Sequence, residues 1–354
     1  MAVRTVAYVG SYTYIGKSKG LTIFDVDVEK GIFTKRKEIA VSNASYIRIS
    51  EDNKFLYSVT DEGIVAFKIL PDGDLEKINV ASIRGMRGCF IELYEEKGFL
   101  FVAGYHDGKM TALRIREDGG VGEICDSFYD KGMGSVAERS TIPHISCVRM
   151  TPDKQYVCVV DLGIDQMKVF RLNPELGKLR LVDILRCDQN SAPRNIMFSP
   201  DGKFMYMISE LKNEIWVYSY DNSTGYPQFE LIQRISSLGK KHSNVNAAMR
   251  IRFSRGYNYV LCSNVGDNSA GVFEINHETG LLTKICVLPV SGRYPKDVGM
   301  LPGERYLYSV NHEDGTITCF TMDYEKRCFS MHAKPVHVDQ PNCCAVAELE
   351  APEA

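Results

Sequence analysis

The stretch SAPRNIMFSPDGKFMYMISELKNEIWVY, residues 191–218, holds two short alternating runs and a third, separated by turn chemistry. Ile196 and Phe198, then Phe204, Tyr206 and Ile208, fall on alternate positions, as one buried strand face requires. Between them lies Ser199-Pro200-Asp201-Gly202, a tight turn. Proline presets one backbone angle there, aspartate caps the turn locally, and glycine tolerates positive φ. A third run, Ile215-Trp216-Val217-Tyr218, follows a polar loop that carries Glu210 and Lys212.

The template recurs along the chain. It reads YIRISEDNKFLYSVTDEGIVAF at 46–67, CFIELYEEKGFLFVAGYHDGKMTAL at 89–113 and PHISCVRMTPDKQYVCVVDLGIDQMKVF at 143–170. After the opening stretch come MRIRFSRGYNYVLCSNVGDNSAGVF at 249–273 and YPKDVGMLPGERYLYSVNHEDGTITCF at 294–320. The N-terminus has the second and third runs without a first, and QPNCCAVAEL at 340–349 is an orphan first run. Six full copies and two complementary fragments make seven units, spaced by about 50 residues. Most end in a fourth run such as Leu281–Ile285. Four short antiparallel strands per unit predict an all-β, seven-bladed β-propeller, a single domain over 1–354 with a flexible last few residues. The two chain ends then share one blade and close the ring.

Composition bounds the function. At 354 residues and 44% hydrophobic, the chain can bury a sizeable core, and its formal net charge of −3 does not favour nucleic acid as a partner. No run approaches the ~18 apolar residues of a membrane span. The N-terminus lacks a signal peptide's apolar core, so a cytoplasmic protein, monomeric or weakly dimeric, is expected. The 11 cysteines form no C-x-x-C pair, and Cys147, Cys158, Cys262 and Cys319 fall inside strand runs, where reduced thiols act as small buried hydrophobes. Neither a metal-ligand cluster nor a cofactor motif is present.

In a propeller, matching positions of each unit form rings around the mouth of the central channel. The starts of the first runs give Ser45, Cys89, Ser146, Arg194, Met249, Lys296 and Asn342. The ends of the second runs include Tyr12, Asp61, Glu210, Val265 and His312. Arg194 and Lys296 on one rim are candidates to hold an anion; a salt bridge of these cations to Glu210 or Asp61 is the bland alternative. His144 precedes Ser146 by two residues, so strand alternation points both the same way, about 7 Å apart. The long inter-blade loop 130–141 carries Arg139, a further cation and a candidate wall of the site. Lys240-Lys241-His242 reads as a solvated loop tip.

On these residues a family resemblance stands out. YVGSYT at 8–13, PH then TPD then DLGIDQMKVF in the fourth unit, and APRNIMFSPDGKFMYMISEL at 192–211 resemble the seven-bladed propeller lactonases. That family includes propeller-type 6-phosphogluconolactonases and related carboxymuconate cyclases. The resemblance implies lactone opening or closing in the mouth without a metal, with a small-molecule lactone or anionic sugar as ligand. It places the family's arginine after proline on Arg194 and its acidic residue on Glu210, while Asp161, Gly163 and Asp165 match a D-L-G-x-D segment. The chain also departs from the pattern. The family's inner-strand histidine falls on Ser146, with His144 matching an earlier one, and the histidine after the P-R pair is Asn195. The usual A-E-I reads Met249-Arg250-Ile251, and the arginine of S-N-R is Val265.

Lactone hydrolysis needs a base for water, a cation or N–H donor for the oxyanion, and groups that hold the substrate. Glu210 or His144 fits the base, and Arg194, with its planar fork, the oxyanion or phosphate partner. Lys296, Arg250, Arg139, His312 and Ser146 are the candidate substrate-binding groups. Two other readings stay open, a lactone cycloisomerase and a non-catalytic propeller that binds a small anion or a partner protein.

Overall fold

The serine that opens the 199–202 turn shows how each unit folds. Its hydroxyl donates to Asp201 at 2.6 Å and accepts from the Phe204 amide at 2.9 Å, while Gly202, at φ +74°, returns its N–H to the Ser199 carbonyl. Ser50 with Asp52 and Thr151 with Asp153 build the same knot in other units. Each one reverses the chain from an inner strand into the next.

In this computed structural model, which describes residues 3–134 and 142–350, the strands form seven antiparallel sheets. Blade 1 contains the C-terminal strand Pro341–Glu350, then Val3–Ser11, Gly20–Asp27 and Ile32–Ala40. Blades 2 to 6 run from Ile47 to Ala81, Phe90 to Tyr129, Ile145 to Arg186, Pro193 to Ser236 and Ala248 to Pro289. Blade 7 starts at Pro295, and its outer strand is split into Cys328–Met331 and Val336–His337, both paired with Thr316–Asp323. Consecutive inner strands touch all the way round, and the C-terminal strand touches those of blades 7 and 2. The orphan run thus supplies the missing inner strand, with Val3 opposite Glu350 and Gly10 opposite Cys343.

Burial differs from simple alternation in one respect. All six residues of Phe204–Ser209 are buried, because each blade is packed against a neighbour on both faces. The outermost strands, such as Gln228–Ser236, alternate with solvent. Cys147, Cys158, Cys262 and Cys319 are buried in this core, as their places in the runs predict. A recurrent clamp ties neighbouring blades: a second-strand tyrosine donates its hydroxyl to a hairpin carbonyl of the next blade. Tyr8 reaches Gly73, Tyr57 Gly119, Tyr156 Gly225 and Tyr206 Gly280 at 2.8–2.9 Å, and Tyr306 reaches Glu29 at 3.1 Å across the closure. Among the described residues no helix is long and apolar enough to cross a membrane.

Candidate active site

Five inner strands begin with the same irregularity. In blades 4 to 7 the pairing slips by one residue at the rim, so that Ser146, Arg194, Met249 and Lys296 have no opposite number on the second strand. The C-terminal strand does likewise at Asn342. Such a bulge re-aims a side chain and lets two successive residues face the same space. Each extra residue is a member of the first ring.

All seven residues of that ring line one recess at the mouth of the channel, together with Tyr12, Tyr46, Phe90, Tyr105, Asn195, Arg250 and Cys343. Its free volume is about 90 Å³, room for about three waters. Among the described residues three cations meet there. Arg194 donates to Glu210, whose carboxylate is 1% exposed. Burial works against the Arg194 charge, but Glu210 outweighs it and holds the proton more firmly than usual. Lys296 lies 4.9 Å above the Tyr294 ring. Arg250 crosses the channel floor, stacked over Tyr46 at 5.0 Å, with Asn195 and the Tyr46 hydroxyl each at 3.4 Å. Ser146 donates to the Arg194 carbonyl at 2.7 Å, tying blade 4 to blade 5. Burial pushes the Cys89 and Cys343 thiols up to about 12 against the pull of nearby arginines, so neither is a nucleophile at neutral pH.

A second pocket of about 420 Å³ adjoins the recess between blades 5, 6 and 7. Glu210, Asn246, Val265, Asn268, Tyr294 and Glu313 line it. The Arg194–Glu210 pair and the Lys296–Tyr294 stack form the partition, each with one member in either space.

The D-L-G-x-D segment explains how the rim is held. Asp161 accepts the His144 and Gly163 amides at 2.8 and 2.9 Å, and a side chain at Gly163 would strike the Ile142 carbonyl. Asp165 accepts the amides of Asn190, Ser191 and Ala192, the three residues before Pro193-Arg194. Both aspartates therefore fix the two segments that bring His144 and Arg194 to the mouth.

The remaining candidates are scattered around this frame in a way that periodicity alone does not anticipate. His144 does not share the recess with Ser146, because the bulge at Ser146 breaks the alternation. Its ring stacks on Tyr105 at 4.4 Å, with Nδ1 at 2.7 Å from the Tyr105 carbonyl, one side chain behind the lining. His312 packs edge-on against Tyr12 at 5.6 Å, and burial and then the Lys296 charge lower its pKa. Asp61 is paired with Arg87 at 2.9 Å, outside the recess. Arg139 lies outside the described residues. Lys240, Lys241 and His242 are exposed, as expected of a loop tip. Tyr46, Phe90 and Tyr105 are lining residues that the sequence did not single out; Tyr105 follows a second run and was within reach of the ring rule.

Residues 6–346 match the family model described as "Lactonase, 7-bladed beta-propeller". A 6-phosphogluconolactonase of Bacillus subtilis is 29% identical over 344 residues, 96% of this chain and 97% of that protein. A 6-phosphogluconolactonase of Formosa agariphila is 28% identical over 331 residues, covering 90% and 92%. The crystal structure of a putative 6-phosphogluconolactonase from Bacteroides fragilis superposes with a TM-score of 0.88 at 28% identity, covering 97% and 98% of the two chains. The periplasmic gluconolactonase of Pseudomonas aeruginosa, at 22% identity and TM-score 0.90, shares the fold over 99% of this chain and all of its own.

Proposed function

Because the chain belongs to the seven-bladed β-propeller lactonase family, we propose that it is a lactone hydrolase acting on a phosphorylated sugar δ-lactone. The observation that carries this reading is the recess: three cations, Arg194, Arg250 and Lys296, around about 90 Å³. That space suits a single phosphate group, while the adjoining 420 Å³ suits a polyhydroxylated ring facing Asn246, Asn268 and Tyr294. The three cations around the recess disfavour a metal ion there, which supports metal-independent chemistry.

In this mechanism Glu210, at the partition, takes a proton from water as the water attacks the lactone carbonyl. The tetrahedral oxyanion is met by the Arg194 guanidinium, already fixed and charged, so little reorganisation is needed as charge develops. The ring C–O bond then breaks, and the leaving oxygen takes the proton back from Glu210. The product is an open-chain hydroxy acid, and no covalent enzyme intermediate forms. His144, the other candidate base, lines neither space and in this reading supports the wall behind Tyr105.

One observation favours the alternative of an anion-binding propeller without turnover: Glu210 is deeply buried and already bonded to Arg194. A panel of γ- and δ-lactones, one of them phosphorylated, assayed for acid release above spontaneous hydrolysis separates the two. We expect the phosphorylated δ-lactone to be preferred, and Lys296→Ala to raise its KM while leaving the unphosphorylated one unchanged. Saturable binding with no acid release on any lactone overturns the hydrolase reading.

A further inference from the structure

The inner strands run from the mouth toward the opposite end of the channel, and that end is lined with arginine. Arg48, Arg149, Arg250, Arg252 and Arg255 surround a second recess of about 340 Å³, with Ser50 and Asn53 at its edge. Tyr46 and Arg250 belong to both recesses and form the floor between them.

The carboxylates that pair with these arginines are already committed. Asp297, 1% exposed, takes Arg252 on both oxygens at 2.8 and 2.5 Å and the Cys344 amide at 2.9 Å. Glu92 takes Arg149 at 2.7 Å. Glu348 pairs with Arg255, and Glu51 stands exposed at the rim. Arg48 and Arg250 come second to carboxylates that others occupy. Arg48 reaches Glu92 only at 3.8 Å, and its Nε is buried without an acceptor. Arg250 Nε lies 3.2 Å from Asp297 but makes no hydrogen bond, and the hydrogen bonds of the rest of its guanidinium are the two at 3.4 Å. A guanidinium fork matches an oxyanion that accepts two parallel bonds.

We propose that this arginine-lined recess is a second binding site, for a compact oxyanion bearing phosphate or several carboxylates, held chiefly by Arg48 and joined by Arg255, which it would share with Glu348. It is a separate space from the lactone site, with which it shares only the Arg250 and Tyr46 floor. An anion there gives Arg48 Nε the acceptor it lacks and faces arginines from the inner strands of blades 2, 4 and 6.

Isothermal titration with pyrophosphate and with citrate, against chloride at matched ionic strength, tests this on wild type and on Arg48→Gln, Arg255→Gln and Arg194→Lys. We expect saturable binding that survives Arg194→Lys and weakens about tenfold or more in Arg48→Gln, or in Arg255→Gln should Arg48→Gln fail to fold. Tighter pyrophosphate identifies a phosphoryl ligand, and tighter citrate a polycarboxylate. The proposal is overturned by absent saturable binding, by equal binding in both recess variants, by loss in Arg194→Lys alone, or by a response that chloride reproduces.

Discussion

Arg194 and Glu210 are joined side chain to side chain across blade 5, the arginine from a bulge at the start of the inner strand and the glutamate from the residue after the second strand. The guanidinium is 21% exposed and the carboxylate 1%. Removing one partner of such a pair leaves the other buried and uncompensated, which costs roughly 3–5 kcal/mol. Lower stability therefore does not by itself distinguish a structural pair from a working one. Arg194→Lys does: it keeps the charge and loses the fork. We expect kcat to fall by about tenfold or more with a smaller drop in melting temperature than Arg194→Ala. Equal kcat in Arg194→Lys and wild type would make the arginine a strut alone.

Closure of the ring rests on the pairing of Pro341–Glu350 with Val3–Ser11. Deleting residues 340–354 leaves blade 1 without its inner strand and bares a sheet edge. We expect a sharp loss of soluble yield and no cooperative melting. A truncated protein that melts like the full chain would refute the closure.

The tyrosine clamps between blades predict a graded effect. Tyr206→Phe removes one buried hydroxyl and leaves the Gly280 carbonyl without its donor. The expected cost is about 1–3 kcal/mol, with little change in turnover. Chemical denaturation of the variant checks this, and an unchanged midpoint would show that the clamp is incidental.

Asp161 makes stability depend on pH. Burial first, and then the neighbouring Asp130 carboxyl, raise it from 3.8 to about 7, against the amides of His144 and Gly163. In this window the folded state holds more protons than the unfolded one, so the contribution of this group to stability falls as pH rises from about 4 to about 7. We expect the slope of melting temperature against pH over that interval to become less negative in Asp161→Asn. An identical profile would remove Asp161 as its source.

Seven units, the shared blade and the ring of rim residues were legible because turn knots such as Ser199-Pro200-Asp201-Gly202 repeat locally. The bulges were not, since nothing in the residues at 146 or 296 marks a slip in pairing. Strict alternation consequently put His144 beside Ser146, whereas the bulge separates them. Tyr46 and Phe90 read as ordinary strand core because a channel-facing aromatic has the same sequence signature as a blade-facing one. Asp165 resembled a family motif residue, and only its three amide bonds reveal that it steadies the approach to Arg194.

The most direct measurement is turnover of a phosphorylated six-carbon δ-lactone by wild type and Glu210→Gln, at a temperature where both remain folded. Glutamine keeps the shape and removes the base. We expect wild type to exceed spontaneous hydrolysis clearly and the variant to lose about a hundredfold or more in kcat. Folded wild type no faster than the spontaneous reaction, or a folded variant that turns over like wild type, would contradict hydrolysis through Glu210.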